Sequence, residues 1–461
     1  MAPEGNATTG DRRRRVLIFP LPYQGHMNPM FHLAGLLHAR GFAVTVFHAD
    51  SNAPDPSRYP EYDFVAVPGG MPAATQEVVK VMEHILALNR SCEEPFRKRL
   101  AALLEAPGAR DDVACLVADA HLLTLMDVAR QQGVPTLALR TGSAASYRCF
   151  VAHPMLCDKG YLPAQESQLD APVKEMPPYR VRDLMSARSS GPEHDISCEL
   201  LSRAVAAVRT SSGLILNTFD ALEAADLAAI RRDLAPPVFD IGPLHKASPA
   251  SSPASSSLLR QDHGCLEWLN SRAPASVLYV SFGSLASVSS ADLVETAWGI
   301  ALSGQPFLWA LRPDLVLGAT PAALPDGFDS VTAGRGMVVS WAPQEEVLAH
   351  AAVGGFWTHG GWNSTLESVC AGVPMLCRPS FGDQMSNARH VEHVWRAGIT
   401  LDGELERGKV EATIRRLMQS KDGEEMRRRA RELGNRAAES MTLDGSSCVN
   451  IDKLTSHILC L

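Results

Sequence analysis

Short runs of almost unbroken apolar residues alternate along this chain with longer stretches of helical periodicity. The first run, Val16–Pro22 (VLIFPLP), is followed by a predicted helix from about Asn28 to Arg40, which Gly41 closes. Ala43–Ala49 (AVTVFHA), Tyr62–Pro68 (YDFVAVP), Val113–Ala120 (VACLVADA) and Pro135–Thr141 (PTLALRT) continue the series. Gly213–Thr218 and Val238–Gly242 extend it. Strands that are apolar on both faces and separated by helices belong to a parallel sheet covered on both sides.

The pattern breaks at Lys246–Leu259 (KASPASSPASSSLL), where Ser, Pro and Ala replace large apolar side chains. Such a segment cannot bury a core and reads as a linker. Alternation then restarts with Ser276–Ser284 (SVLYVSFGS), a helix near Ala291–Ser303, Pro306–Arg312 (PFLWALR) and Gly336–Trp341 (GMVVSW). A basic helical tail near Lys421–Arg436 and a last helix around Ser446–Cys460 close the chain. The expected organisation is an N-terminal domain over 1–245, a linker over 246–260 and a C-terminal domain over 261–440. The final segment, 441–461, is expected to pack back on the N-terminal domain. The fold class is α/β, with two doubly wound domains facing across a cleft, and ligands of such sheets bind at the carboxyl ends of the strands.

Composition narrows the function. The chain has 461 residues, is 46% apolar and carries a net charge of −8, which supports two full cores and argues against nucleic-acid binding. The tetrad Arg12–Arg15 reads as a solvated flank. No apolar run reaches about 18 residues, so no integral membrane span is expected. The first ten residues are too polar for a signal peptide. Ten Cys occur without a CxxC, which favours scattered reduced thiols in a cytoplasmic protein over disulfides or a zinc site. The glycosylation sequon Asn363-Ser364-Thr365 falls inside the candidate site described next, where modification would block it. A monomer is expected.

The densest chemistry lies in Trp341–Gln384 (WAPQEEVLAHAAVGGFWTHGGWNSTLESVCAGVPMLCRPSFGDQ). Apolar Gly354–Trp357 predicts a buried strand, THGG a small-residue turn, and Asn363-Ser364-Thr365 the capped start of a helix. That order aims backbone N–H groups at an anion, the way proteins hold phosphates. No GxGxxG follows the first strand, and Asp50 is the nearest candidate for a ribose-binding acid after the second. A nicotinamide-dependent oxidoreductase therefore lacks its fingerprint.

These residues resemble the signature of plant family 1 UDP-glycosyltransferases, which have two Rossmann-like domains in the GT-B fold. The PYQGHMNP loop, SFGS and CLEWLN extend the resemblance over the whole chain. It implies that Trp341 stacks on uracil, that Gln344 and Ala342 stand near the nucleoside, and that Glu367 accepts the ribose hydroxyls. His359, Gly361, Asn363 and Ser364 are implied to hold the diphosphate, with Ser284 reaching it from the other loop and Gly25 near it. Trp362, Asp383 and Gln384 resemble the sugar-contacting set, and Gln384 resembles glucose-using members. Thr141 resembles a residue touching the sugar from the first domain, although a helix N-cap is an equal reading of it. Gly360 departs from the pattern, since relatives carry Cys or Asn there; a slightly altered donor affinity is the expected consequence.

The first domain supplies the second constellation. His26 is read in the loop PYQGHMNP, before a helix whose first turn contains Pro29, and Asp119 closes the strand VACLVADA. Both stand on the functional edge of a parallel sheet. A His–Asp pair suits deprotonation of a hydroxyl, the carboxylate fixing the tautomer and stabilising the imidazolium. The resemblance implies His26 as base and Asp119 as its partner. His48 and His121 are nearby without a pattern of their own, though His121 can line the acceptor pocket.

The reading is direct, inverting displacement of UDP from a UDP-sugar by a small hydrophobic hydroxylated acceptor. There is no DxD motif, so no metal and no cofactor are expected at the diphosphate; helix amides would take a metal's place. Acceptor contacts are expected from Met82–Leu88, His121–Leu123, Ser143–Tyr147 and Ser380–Gly382. The segments FHADSNAPDPSRYPEYDFVAVP and DKGYLP resemble grass benzoxazinoid glucosyltransferases, which points to a phenolic, benzoxazinoid or flavonoid hydroxyl. The competing readings are another UDP-sugar donor, a sugar-nucleotide-binding homologue without turnover, an oxidoreductase and a protein-interaction module.

Overall fold

The apolar runs become two parallel sheets, and each run ends where its chemistry begins. A computed structural model describes residues 13–69, 78–185, 187, 191–247, 259–316 and 322–461. The first ten residues, Arg12 of the basic tetrad and residues 248–258 of the expected linker lie outside the described residues.

The first sheet contains β1 (Arg15–Phe19), β2 (Ala43–Ala49), β3 (Asp63–Val67), β4 (Val113–Asp119), β5 (Thr136–Arg140), β6 (Gly213–Leu216) and β7 (Val238–Asp240). Its order is β3-β2-β1-β4-β5-β6-β7. The second contains β8 (Val277–Ser281), β9 (Phe307–Ala310), β10 (Gly336–Val339), β11 (Val353–Thr358), β12 (Met375–Cys377) and β13 (Gly398–Thr400). Its order is β10-β9-β8-β11-β12-β13. Every strand pair is parallel. The chain reverses direction across the first sheet between β1 and β4, and across the second between β8 and β11. Such switch points open a crevice at the strand ends. His26 follows β1, Asp119 ends β4, Ser284 follows β8 and His359 follows β11, so all four expected residues stand at these crevices.

Each sheet is covered on both faces. Leu17, Leu116 and Phe96 lie in one core of the first sheet, and Val16, Ile18 and Val117 in the other. The last helix, Ser446–Cys460, puts Ile451, Leu454 and Ile458 into that second core. Phe219 and Leu222, from the first half of the chain, pack instead with Tyr279 and Phe356 of the second sheet. That core therefore joins the two halves beneath the cleft. Burying a Phe or Leu side chain contributes about 1.5–3 kcal/mol, so this joint is a firm one.

Three local expectations change. The first helix runs Gln24–Ala39, four residues earlier than expected, so His26 sits in its first turn and not in a loop. Pro29 lies inside it, at a place where a proline removes the N–H that would bond the carbonyl of Gly25. The helix near the THGG turn is Trp362–Ala371, with Gly361 at its N-cap and no side chain capping it. Asn363 and Ser364 are thus helical residues and not caps. The helical turn Leu244–Ala247 takes in the first two residues of the expected linker.

Candidate active site

A cavity of about 1010 Å³ lies between the two sheets, and residues of both switch points line it. On the first side, Asp119 is fully buried at the end of β4. Its Oδ2 lies 2.7 Å from His26 Nδ1. Its Oδ1 accepts both the backbone N–H and the ring Nδ1 of His121, each at 2.9 Å. Burial opposes the charge on Asp119, but the two imidazoles hold its carboxyl far below the usual range. Burial also lowers the pKa of His121 to about 4, and Arg140 lowers it further against the pull of Asp119. His121 is therefore neutral, with Nδ1–H donating to Asp119 and Nε2 facing Arg140 Nη1 at 3.2 Å. An ionised Asp119 likewise keeps the proton of His26 on Nδ1, which makes Nε2 the basic nitrogen.

On the second side, the helix Trp362–Ala371 begins at the cavity with its N-terminus uncapped by any side chain. Unsatisfied N–H groups and the positive end of the helix dipole favour an anion there. His359 lies between two loops. A Cβ on Gly283 would come within 2.5 Å of its ring, and one on Gly361 within 2.4 Å. Both positions need glycine because a side chain at either would run into the imidazole. Gly360 has a φ of +80°, so the departure from Cys or Asn noted above occupies a left-handed turn. Burial, then Arg312, lowers the His359 pKa to about 4, which leaves the ring neutral.

Gln344 links two of the residues expected at the donor, Ser364 and Glu367. Its Nε2 donates to Ser364 Oγ at 2.9 Å and to Glu367 Oε2 at 2.7 Å. Glu367 is half-buried, and its carboxyl is pushed up by burial and by the neighbouring Glu345 carboxylate. Asp383 and Gln384 follow Phe381 and Gly382 at the same cavity. Gln384 Oε1 accepts the backbone N–H groups of Ser380 (2.8 Å) and Phe381 (3.1 Å). Its NH2 is consequently the end that faces away from that loop.

The geometry has close counterparts. A family model described as UDP-glucoronosyl and UDP-glucosyl transferase matches residues 210–428. The DIMBOA UDP-glucosyltransferase BX8 of Zea mays is 49% identical over 428 residues, covering 91% of this chain and 93% of that protein. The DIMBOA UDP-glucosyltransferase BX9 of Zea mays is 47% identical over 444 residues, covering 96% and 94%. The chain belongs to the plant family 1 UDP-glycosyltransferases. A solved structure of Phytolacca americana UGT2, complexed with UDP-2fluoro-glucose and pterostilbene, superposes with a TM-score of 0.81. It is 26% identical and covers 96% of this chain and 99% of its own.

This UDP-glycosyltransferase has the GT-B fold, and its structure assembles most of the expected site. His26, Thr141, Gly25, Ser284, Trp341, Ala342, Gln344, His359, Gly361, Trp362, Asn363, Ser364, Glu367, Asp383 and Gln384 all line the one cavity. Asp119 stands behind His26. Three details differ from expectation. Thr141 is not a cap: Ser143 caps the helix Ala144–Asp158, and Thr141 Oγ1 lies 2.9 Å from His26 Nδ1. Trp362 commits its indole N–H to the carbonyl of Asn217 (2.7 Å), so that N–H is not available to a sugar. The side-chain amide of Asn363 donates to Gly25 O at 2.8 Å, which leaves its other groups for a phosphate.

Of the segments expected to contact an acceptor, Met82, Ile85, His121, Phe381 and Gly382 reach the cavity. Ser143–Tyr147 does not: Ser143 Oγ donates to Asn387 Oδ1 at 2.8 Å, and Tyr147 is buried in the core. Phe150, Met185 and Leu200 line that end without having been foreseen. Arg312 is a further residue that no motif in the sequence marks. It is buried, donates to Gly283 O and, at 2.8 Å, to Ala286 O, and so pins the loop carrying Ser284. Its only sequence signal was a charge closing the apolar run PFLWALR, where β9 ends. Among the described residues, no helix is long and apolar enough to cross a membrane.

Proposed function

We propose that this enzyme transfers glucose from UDP-glucose, with inversion, to a hydroxyl of a small plant metabolite, a benzoxazinoid being the favoured acceptor. The single observation behind the reading is the opposition of two half-sites across one cavity. A tautomer-fixed imidazole, His26, stands on one wall; an uncapped helix N-terminus with Asp383 and Gln384 stands on the other.

In this reading, Trp341 stacks on the uracil and Glu367 accepts the ribose hydroxyls, which an ionised carboxylate can do twice. The helix N-terminus, His359, Ser364 and Ser284 stabilise the departing diphosphate. The acceptor oxygen loses its proton to His26 Nε2 as it attacks the anomeric carbon from the face opposite UDP. Asp119 stabilises the imidazolium that forms. The new C–O bond replaces the bond to phosphate, and an α-linked donor yields a β-glucoside.

Asp383 and the NH2 of Gln384 are suited to adjacent hexose hydroxyls, which supports glucose. The acceptor end is apolar, with Val81, Met82, Ile85, Phe150, Met185 and Leu200, and this fits a flat heterocycle or phenol. The two maize relatives, which act on DIMBOA by name, favour the benzoxazinoid class. The test is UDP release by purified protein with UDP-glucose, UDP-galactose or UDP-xylose against benzoxazinoid, phenolic and flavonoid acceptors. Acceptor-dependent release greatest with UDP-glucose and a benzoxazinoid is expected. Release independent of any acceptor, or greater with another donor, contradicts the proposal.

A further inference from the structure

Away from the expected chemistry, the helices Ala144–Asp158 and Pro192–Arg209 pack together and face one another with the same motif. HPMLC places His153 and Cys157 four residues apart on the first. HDISC places His194 and Cys198 four residues apart on the second. Residues at i and i+4 share a helix face, the spacing by which a helix presents two ligands to one metal.

The packing brings the two pairs together. Cys157 Sγ lies 3.7 Å from His153 Nδ1, and Cys198 Sγ lies 3.9 Å from His153 Nε2 and 3.4 Å from His194 Nε2. Ligand atoms of His153, Cys157 and Cys198 all lie within 4.8 Å of one another. Zinc bonds of about 2.3 Å to sulfur and about 2.0–2.1 Å to nitrogen, at tetrahedral angles, give sulfur–nitrogen edges of about 3.6 Å. The Cys157–His153 and Cys198–His194 distances are close to that length, while Cys198 meets the other nitrogen of His153, so one ion would draw Cys198 and His194 toward the nitrogen it binds. Both sulfurs are unpaired thiols, His153 is buried, and the other three residues are half-buried, a sheltered site still open to an ion.

We propose that His153, Cys157, His194 and Cys198 bind one zinc ion as a Cys2His2 site that ties these two helices together. Binding converts both thiols to thiolates and releases their protons. The ring of His153 shows one nitrogen to each sulfur and gives the ion one of them. The site would brace the acceptor wall, because Phe150 and Leu200 on the same two helices line the cavity. It also revises the reading of the cysteines as scattered: each HxxxC is unremarked in sequence, and only the helix packing pairs them.

The test titrates the full-length chain, reduced and stripped of metal, with cobalt and then zinc. One equivalent of cobalt should give sulfur-to-cobalt charge transfer in the near ultraviolet and tetrahedral bands in the visible, both bleached by zinc. The Cys157→Ser/Cys198→Ser variant, shown by circular dichroism to be folded, should lose these bands. His194→Ala, a change at a half-buried position near a helix start, should weaken zinc at least tenfold and provides the test if the double variant does not fold. No charge-transfer band in the parent chain, bands that survive in the double variant, or unchanged zinc affinity in His194→Ala would overturn the proposal.

Discussion

The side-chain amide of Asn363 crosses the cleft to the carbonyl oxygen of Gly25, 2.8 Å away. That carbonyl is open to it because Pro29, four residues later in the same helix, has no N–H to offer. The start of the diphosphate-facing helix is thereby tied to the turn that carries His26. A proline inside a helix, usually a cost, here frees an acceptor for the opposite domain.

Removing this tie should loosen the contact between the two halves, and Pro29→Ala does so without touching any group expected at the diphosphate. Asn363→Ala is expected to raise the KM for UDP-glucose about fivefold, the equivalent of one hydrogen bond of about 1 kcal/mol. Pro29→Ala, which restores a competing N–H to Gly25 O, should move the same parameter in the same direction. Steady-state kinetics check both. An effect on acceptor KM alone would mean that the bond does not hold the halves together.

His121 is expected to act through Asp119 and not on substrate directly. It takes the second carboxylate oxygen and, being neutral, adds no charge of its own. His121→Phe should leave Asp119 with one partner fewer, lower kcat about tenfold and shift the pH–rate profile, while UDP binding stays unchanged. His121→Asn, which restores a donor, should recover part of kcat. A change confined to acceptor KM would make His121 a pocket wall only.

Glu367 should make donor binding depend on pH. Its carboxyl is raised above its ordinary value of 4.5, chiefly by burial and then by Glu345. Ribose hydroxyls that donate to it favour the ionised form, so binding should expel a proton and tighten as pH rises above that ordinary value. UDP-glucose is the right probe because its diphosphate does not titrate in this range. Calorimetry in buffers of different ionisation enthalpy should show proton release that disappears in Glu367→Gln. Proton uptake on binding would contradict the assignment.

Gln384 offers a clean separation of two roles. Its oxygen holds the Ser380–Phe381 turn and its NH2 faces away from it, the end that the proposed reading gives to the sugar. Gln384→Glu keeps the oxygen and removes the donor, so Tm and UDP affinity should hold while transfer from UDP-glucose falls about tenfold. Equal losses in UDP binding and transfer would remove Gln384 from the sugar grip.

The parallel sheets were legible because their strands are buried on both faces, which leaves apolar runs with no polar side to confuse them. β12 and β13 span three residues each, too short for a run to show periodicity, and they were not separated from their surroundings. The sequence places His26 in a loop because a proline near a helix start is normally a first-turn residue. Here it is an interior residue tolerated by a contact from Asn363. Other misses share that cause. Thr141 on His26, His121 on the second oxygen of Asp119 and Arg312 on Gly283 are relations between segments that only the folded chain brings together. Residue types at strand ends could be read; which of them face each other could not.

The central claim is that His26 takes the acceptor proton. The most direct measurement compares the parent enzyme with His26→Ala over acceptors of graded acidity, from an aliphatic alcohol to a strongly acidic phenol, at saturating UDP-glucose. The account predicts losses of about 10²–10⁴ in kcat for the weakly acidic acceptors, shrinking toward none for the most acidic phenol, with UDP affinity intact. A loss of the same size for every acceptor, or near-normal transfer to the alcohol, would contradict it.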